Sequence, residues 1–331
     1  MHEINTSNWN IRTDLIIEKE ELSSHTKETI SEEKYTIDRI TTNSNKYTTI
    51  SFEDITDKDN YKEIETVFIK ELKSFITNYK IPKDETILII GLGNSNSTPD
   101  SLGPKTINNI LVTRHLYKLG EVENTYQNVA AFKPEVTGIT GIETKDIIHS
   151  LIKTVEAKLL IVIDALASSS INRVNKTIQI TDAGIAPGSG VGNNREALNK
   201  EHLKIPVIAI GIPTIVDAST IVSDTFEYIK QHFSYQLTNH NNPKIKLIHA
   251  ASQDYSDHKT NLTDDQKQLI LGEVGKLTPL DLKKLIDEVL TPIKYNLMVT
   301  PKEIDFLIEK LSLLLGNGIN KSLHDSFNPT K

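Results

Sequence analysis

The chain has 331 residues and a mass of 37.1 kDa, with 37% hydrophobic and 24% charged residues, which allows one large domain or two to three smaller ones. It contains no cysteine, and that excludes disulfide scaffolds, thiolate metal sites, CxxC redox chemistry and thiol nucleophiles. With 44 acidic against 37 basic residues, a net charge of −7 and a pI near 5.8, it lacks the positive field that gathers nucleic acid. No apolar run reaches the roughly 18 residues of a membrane span, and the N-terminus has no basic region followed by an apolar core. A soluble, unexported chain without nucleic-acid or membrane partners is expected.

Residues 1 to about 60 are polar and weakly periodic, and read as short strands and exposed loops. From about 60, Ile64, Val67, Phe68, Leu72, Phe75 and Ile76 recur at helical spacing, with Pro82 marking the exit. TILIIG, Thr86 to Gly91, is a β-branched run of the kind buried in a parallel sheet. In SLGPKTINNILVTRHLYKLG, the residues Ile107, Ile110, Leu111, Leu116 and Leu119 fit a helix closed by Gly120. A strand over Asn128 to Phe132, a helix near Glu143 to Val155 and a buried strand LLIVIDAL follow, then a strand from Pro206 to Ile212 and a helix around Ala218 to Phe233. Beyond about 235 a polar stretch leads to helical patterns near Thr263 to Leu290 and Thr300 to Leu315. Alternating strands and helices predict an α/β fold: a mostly parallel central sheet with helices on both faces, a polar N-terminal extension and a helical C-terminal part. The expected divisions are an α/β core over 15–235 and a C-terminal part over 236–331 packed on it.

In open α/β sheets, catalytic groups gather at the carboxyl ends of strands, and two such ends carry an aspartate. Asp100, in GLGNSNSTPDSLGP, reads as a helix N-cap when taken alone. Asp164, in IVIDALASSS, reads alone as a carboxylate capping a turn. Together they form a different pattern. Two carboxylates in one desolvated crevice cannot both ionise easily, so the pair holds one proton near neutrality. One then activates water while the other protonates the carbonyl oxygen or the leaving amine.

Other motifs are weaker. GLGNSN has Asn96 where a dinucleotide fingerprint needs its third glycine, and Pro104 spoils a phosphate-loop G-K-T. Gly91, Gly93 and Asn94, with Gly188, Ser189 and Gly190 in the long glycine-rich stretch, are candidates for an active-site rim or plain loop residues. Glu143 is either a third crevice carboxylate or a first-turn helix acid. Ser189 lacks the strand-to-helix context of a serine nucleophile. No metal-ligand spacing occurs among the ten histidines, and His115 and His149 read as surface residues, so neither a metal nor another cofactor is expected.

The stretches GLGNSNSTPDSLGP, VTRHL, ITGIET, IDALAS, RVNKTIQITDAGIAPGSGVGN, PVIAIGIPTIVDA and NLMVTPKEID together resemble the germination protease family of endospore-forming bacteria, from about Arg12 to Asp305. The resemblance implies an aspartic-type endopeptidase of the spore core with small acid-soluble spore proteins as substrate, a homotetramer, and a fold similar to hydrogenase maturation proteases. It places the essential aspartates on Asp100 and Asp164. It also implies a zymogen that removes its own N-terminal segment, here residues 1–14, by a cut between Asp14 and Leu15 in an R-T-D-L context. The chain departs from the family pattern at Ser101, Glu135, Ser169, Ala186 and Asn194, where alanine, glycine, arginine, histidine and lysine are expected, and Ile16 is bulkier than the alanine of relatives. The alternatives are a metal-dependent maturation-type peptidase on the same fold, and a non-enzymatic binding module using the glycine loops.

Overall fold

A computed structural model describes residues 13–18, 26–42, 44–123, 125–186, 197–239, 241, 262–290 and 297–327. In chain order the elements are β1 (Thr26–Ser31), β2 (Tyr35–Thr41), β3 (Lys46–Phe52), α1 (Lys58–Thr77), β4 (Ile87–Gly91), α2 (Leu102–Ile107), α3 (Arg114–Leu119), β5 (Val129–Phe132), α4 (Thr137–Thr140), α5 (Thr144–Val155), β6 (Leu159–Ser168), β7 (Thr177–Thr181), α6 (Lys200–Leu203), β8 (Val207–Asp217), α7 (Ala218–Asn239), α8 (Asp264–Leu271), α9 (Pro279–Leu290), β9 (Met298–Val299) and α10 (Ile304–Leu323). Contacts divide the chain into two units, Met1–Ile215 with Thr300–Lys331, and Val216–Val299.

The first unit is the α/β body. Its strands lie in the order β1-β2-β3-β7-β8-β6-β4-β5. The parallel pairing that the β-branched runs predict joins β4 to β5 and to β6. The polar N-terminal region adds a meander, β1 to β2 to β3, which pairs antiparallel with β7, and β7 pairs antiparallel with β8. The sheet is therefore mixed, and β4, β5 and β6 run parallel to one another. Alternation along the buried strands splits the core between two faces, because successive side chains point to opposite sides. Ile87, Ile89, Ile161, Ile163, Ile178 and Ile180 pack with α1 and α10. Leu88, Ile90, Leu160, Val162 and Val207 pack with Ile148 and Ile152 of α5 and Leu203 of α6. Each fully buried aliphatic chain contributes roughly 1.5–3 kcal/mol.

α1 begins where the Asp57 carboxylate accepts from the amides of Asp59 and Asn60 at 3.0 and 2.9 Å. Its Phe68 meets α10 at Gly318, where a Cβ would stand 2.4 Å from the Phe68 ring. α10 belongs to the first unit, so the division that the sequence places at 235 does not set this helix apart from the core. Ile308, Leu311, Leu314, Leu315 and Ile319 are fully buried in the core shared with α1.

The single helix expected over 101–120 is two. α2 stops at Ile107 and α3 starts at Arg114, with Gly120 as the left-handed cap at φ 72°. Tertiary partners take the intervening backbone: the Leu111 amide donates to Asn320 Oδ1 at 2.9 Å and the Thr113 amide to the Val129 carbonyl at 3.1 Å. β7, TIQIT, is a fully buried strand in a stretch for which the sequence predicts no element. In the second unit, β9 pairs antiparallel with the end of β8 and α7 packs against α9. The pattern over 263–290 is broken there at Gly272, φ 65°, and restarts at Pro279. Among the described residues no helix is long and apolar enough to cross a membrane.

Candidate active site

Gly91 of β4 lies opposite Ile163 of β6, and the Leu92 amide donates to the Ile163 carbonyl at 2.8 Å. Asp164 is the next residue of β6, which runs on to Ser168, so this aspartate sits within the strand rather than at its end. After β4 the chain folds back through a 3-10 turn at Thr98–Asp100. The Asp100 amide donates to the Ser97 carbonyl at 2.9 Å and the Asn94 amide to the Asp100 carbonyl at 3.0 Å. Ser101, not Asp100, is the N-cap residue of α2. Glycines permit this closure. A Cβ on Gly103 would stand 2.2 Å from the Leu92 carbonyl oxygen and 2.7 Å from that of Ile163, so the first turn of α2 presses on both strands. Gly93, at φ 117°, would carry its Cβ 2.0 Å from the Asp100 carbonyl oxygen, and Gly91 packs against Gly103.

Asp164 is 7% exposed, and its Oδ1 accepts from the Ala165 amide at 2.9 Å. Burial holds its carboxyl pKa well above the usual carboxylate range, and the negative charges of Asp100 and then Asp14 push in the same direction. The Ala165 amide opposes them. Asp164 thus lies within reach of the charges of two other carboxylates, one of which belongs to the N-terminal segment.

That segment is docked on β6 and β7. The Asp14 amide donates to the Ala167 carbonyl at 3.1 Å, and the Ala167 amide donates to Asp14 Oδ2 at 2.9 Å. Leu15 is fully buried. Gln179 of β7 holds the chain on both sides of the Asp14–Leu15 bond: its Nε2 donates to the Asp14 carbonyl at 3.3 Å, and its Oε1 accepts from the Ile16 amide at 2.8 Å. Residues Ile16–Glu18 form a 3-10 turn. The Glu18 carboxylate accepts from Ser168 Oγ at 2.7 Å and the Ser169 amide at 2.8 Å, and pairs with Arg173 at 3.3 Å. Beside Asp14 lies a cavity of about 150 Å³ bounded by Leu166, Gln179, Gly184, Ala186 and Gly211, among others.

Of the rim candidates, Gly93 and Asn94 lie against Asp100, and Gly91 lies against Gly103. Glu143 is exposed at the start of α5, where it accepts from Thr137 Oγ1 at 3.5 Å, and it is not among the charges that act on Asp164. Gly188, Ser189 and Gly190 lie outside the described residues, as does Asn194. Glu135 adopts φ 61°, a left-handed position suited to the glycine that the family pattern has there, and its carboxylate accepts from the Ser95 amide at 3.0 Å and from the Ser95 hydroxyl. Burial raises its pKa, but these two bonds and the charge of Lys133 together hold the carboxyl below its ordinary value. His115 and His149 are exposed. Among the described residues, no group of three or more His, Cys, Asp or Glu has the geometry to hold a metal ion. Sequence reasoning missed Gln179, Glu18 and Arg173. Only Gln179 carried a signal, as a long polar side chain between Ile178 and Ile180 in a run of buried residues.

A family profile described as Germination protease matches residues 2–331. Curated relatives with that name include one from Bacillus subtilis, 47% identical over 85% of this chain and 78% of its own length. Others come from Bacillus mycoides, 41% identical over 97% and 95%, and Priestia megaterium, 41% identical over 97% and 96%. Among solved structures, the [NiFe] hydrogenase maturation protease HycI from Thermococcus kodakarensis matches 39% of this chain and 74% of its own, at 18% identity and a TM-score of 0.27. With the family match running almost from end to end and relatives of this identity covered over most of their length, the chain belongs to the germination protease family.

Proposed function

We propose that this member of the germination protease family is an aspartic-type endopeptidase in which Asp100 and Asp164 share one proton and direct water onto a peptide carbonyl. Burial and neighbouring charge favour that proton on Asp164, which leaves Asp100 to take a proton from the attacking water. Asp164 then protonates the carbonyl oxygen and, as the tetrahedral intermediate collapses, the pair delivers a proton to the leaving amine. Gln179 polarises the carbonyl from Nε2 and fixes the peptide from Oε1. The observation that carries this reading is the raised pKa of Asp164 beside Asp100, next to a peptide segment held at its Asp14 carbonyl. Coupled carboxylates titrate as a pair, so the division of labour describes the favoured arrangement of one shared proton.

The segment over Thr13–Glu18 is the chain's own first substrate: an acidic residue followed by a buried aliphatic one, cut between Asp14 and Leu15 so that residues 1–14 are released. The substrates in trans are small acid-soluble spore proteins of the spore core, and the working form is a homotetramer. The test is cleavage of a purified small acid-soluble spore protein. Asp100→Asn and Asp164→Asn are each expected to lower the rate by roughly 10²–10⁴-fold, and Gln179→Ala by roughly 10²–10³-fold. Near-native rates in either aspartate variant would contradict the pair. Loss of native activity on chelation, restored by a divalent metal, would favour a metal-dependent peptidase instead.

A further inference from the structure

Glu18 is more fully held than an exposed acid of a terminal segment needs to be. Its side chain is 5% exposed, with Arg173 at 29%. One oxygen takes Ser168 Oγ at 2.7 Å and Arg173 Nε at 3.3 Å, and the other takes the Ser169 amide at 2.8 Å and the Thr13 hydroxyl. Ser168 is itself fully buried and fixed, accepting from the Ser170 amide at 3.0 Å and lying 2.9 Å from the Ser170 carbonyl. An ionised carboxylate in so dry a place is costly unless such partners meet it, and here the enzyme body supplies a cation, a hydroxyl and a main-chain amide. Those three come from the end of β6 and the 3-10 turn Ile171–Arg173, the same strip that binds Asp14 through Ala167.

We propose that Ser168, Ser169 and Arg173 form a carboxylate subsite that reads an acidic side chain on the leaving side of the scissile bond, at the place Glu18 takes relative to Asp14–Leu15, and that Arg173 is its specificity-determining residue. This rests on the reading of Asp14–Leu15 as a bond held in the active site. Glu18 lies on the retained side of that bond, so cutting alone does not vacate the subsite. A protein substrate has to displace the chain's own Glu18, and the enzyme's new N-terminus competes with it.

The probe is a fluorescently labelled peptide with the sequence of residues 10–21, tested with the full chain in its native form and as Glu18→Gln. Glu18→Gln is expected to bind the peptide about tenfold more tightly than the native chain, because its own segment holds less firmly. Replacing the peptide's glutamate at the Glu18 position by glutamine is expected to weaken binding to the Glu18→Gln chain, and lower kcat/KM, by about tenfold. Adding Arg173→Gln is expected to abolish that difference, and Arg173→Glu to turn the preference toward a peptide with lysine there. Such a reversal is something a merely structural role for Arg173 does not give. Equal binding of the glutamate and glutamine peptides by the Glu18→Gln chain, or an unchanged preference after Arg173→Gln, would overturn the subsite. Binding is read apart from turnover: a chain that discriminates the peptides but cuts normally as Asp100→Asn keeps the subsite and loses the catalytic pair.

Discussion

Asp164 is a buried carboxylate with negative neighbours, and their combined effect on it has a direction. Its folded pKa stands above that of an exposed aspartate, about 3.9, through burial and then the charges of Asp100 and Asp14. The folded chain therefore holds a proton that the unfolded chain gives up more readily. The resulting stability is present in full below pH about 4 and is lost as pH rises through the raised value. Asp164→Asn removes that loss, so the urea midpoint of the variant should gain on the native chain steadily across this window and run parallel to it above. A gap that does not change with pH would mean that Asp164 is not held protonated. The proximity of Asp100 to Asp164 was legible because each follows a β-branched run of one sheet, TILIIG or LLIVI, although Asp164 lies within β6 and not at its end. Gln179, Glu18 and Arg173 were not, because a glutamine in a strand or an arginine in a turn takes its meaning only from the segment lying against it.

At the scale of elements, the site depends on how closely α2 approaches β4 and β6. The three atoms nearest an added Cβ on Gly103 are all backbone: the carbonyl oxygen and nitrogen of Leu92 at 2.2 and 2.6 Å, and the Ile163 carbonyl oxygen at 2.7 Å. None of these moves without shifting a strand. Gly103→Ala is expected to destabilise the fold by about 1–3 kcal/mol and to lower kcat in the molecules that remain folded, by separating Asp100 from Asp164. Gly138→Ala is the control, since nothing lies within 4 Å of its added Cβ, and a change within about 0.5 kcal/mol is expected. Equal unfolding midpoints and equal kcat for the two variants would contradict the closure. The sequence reading of SLGPKTINNILVTRHLYKLG as one helix missed the break that builds this corner. Helical spacing persists through Ile110 and Leu111, but Asn320 and Val129, both distant in sequence, take the backbone bonds that would have continued it. α1, β4, β6 and the start of β8 needed no such partners and were legible from apolar periodicity alone.

For the whole molecule, the first unit draws on both ends of the chain. α10 closes the core face that α1 begins, and residues 13–18 lie hydrogen-bonded on β6 and β7. The α/β class was legible because consecutive strands and helices carry it. The antiparallel meander and the return of α10 were not, since polar strands such as β1 and a C-terminal helix name no partner in sequence. The net charge of −7 fits a protease whose substrates are proteins rather than nucleic acid. The central claim, that Asp100 and Asp164 act on a segment the chain itself presents, is tested most directly by following the intact mass and N-terminal sequence of the purified full chain over time. The native chain is expected to accumulate a form beginning at Leu15, while Asp100→Asn and Asp164→Asn, folded by circular dichroism, stay at full length. A Leu15 terminus appearing in either variant at the native rate would contradict the account.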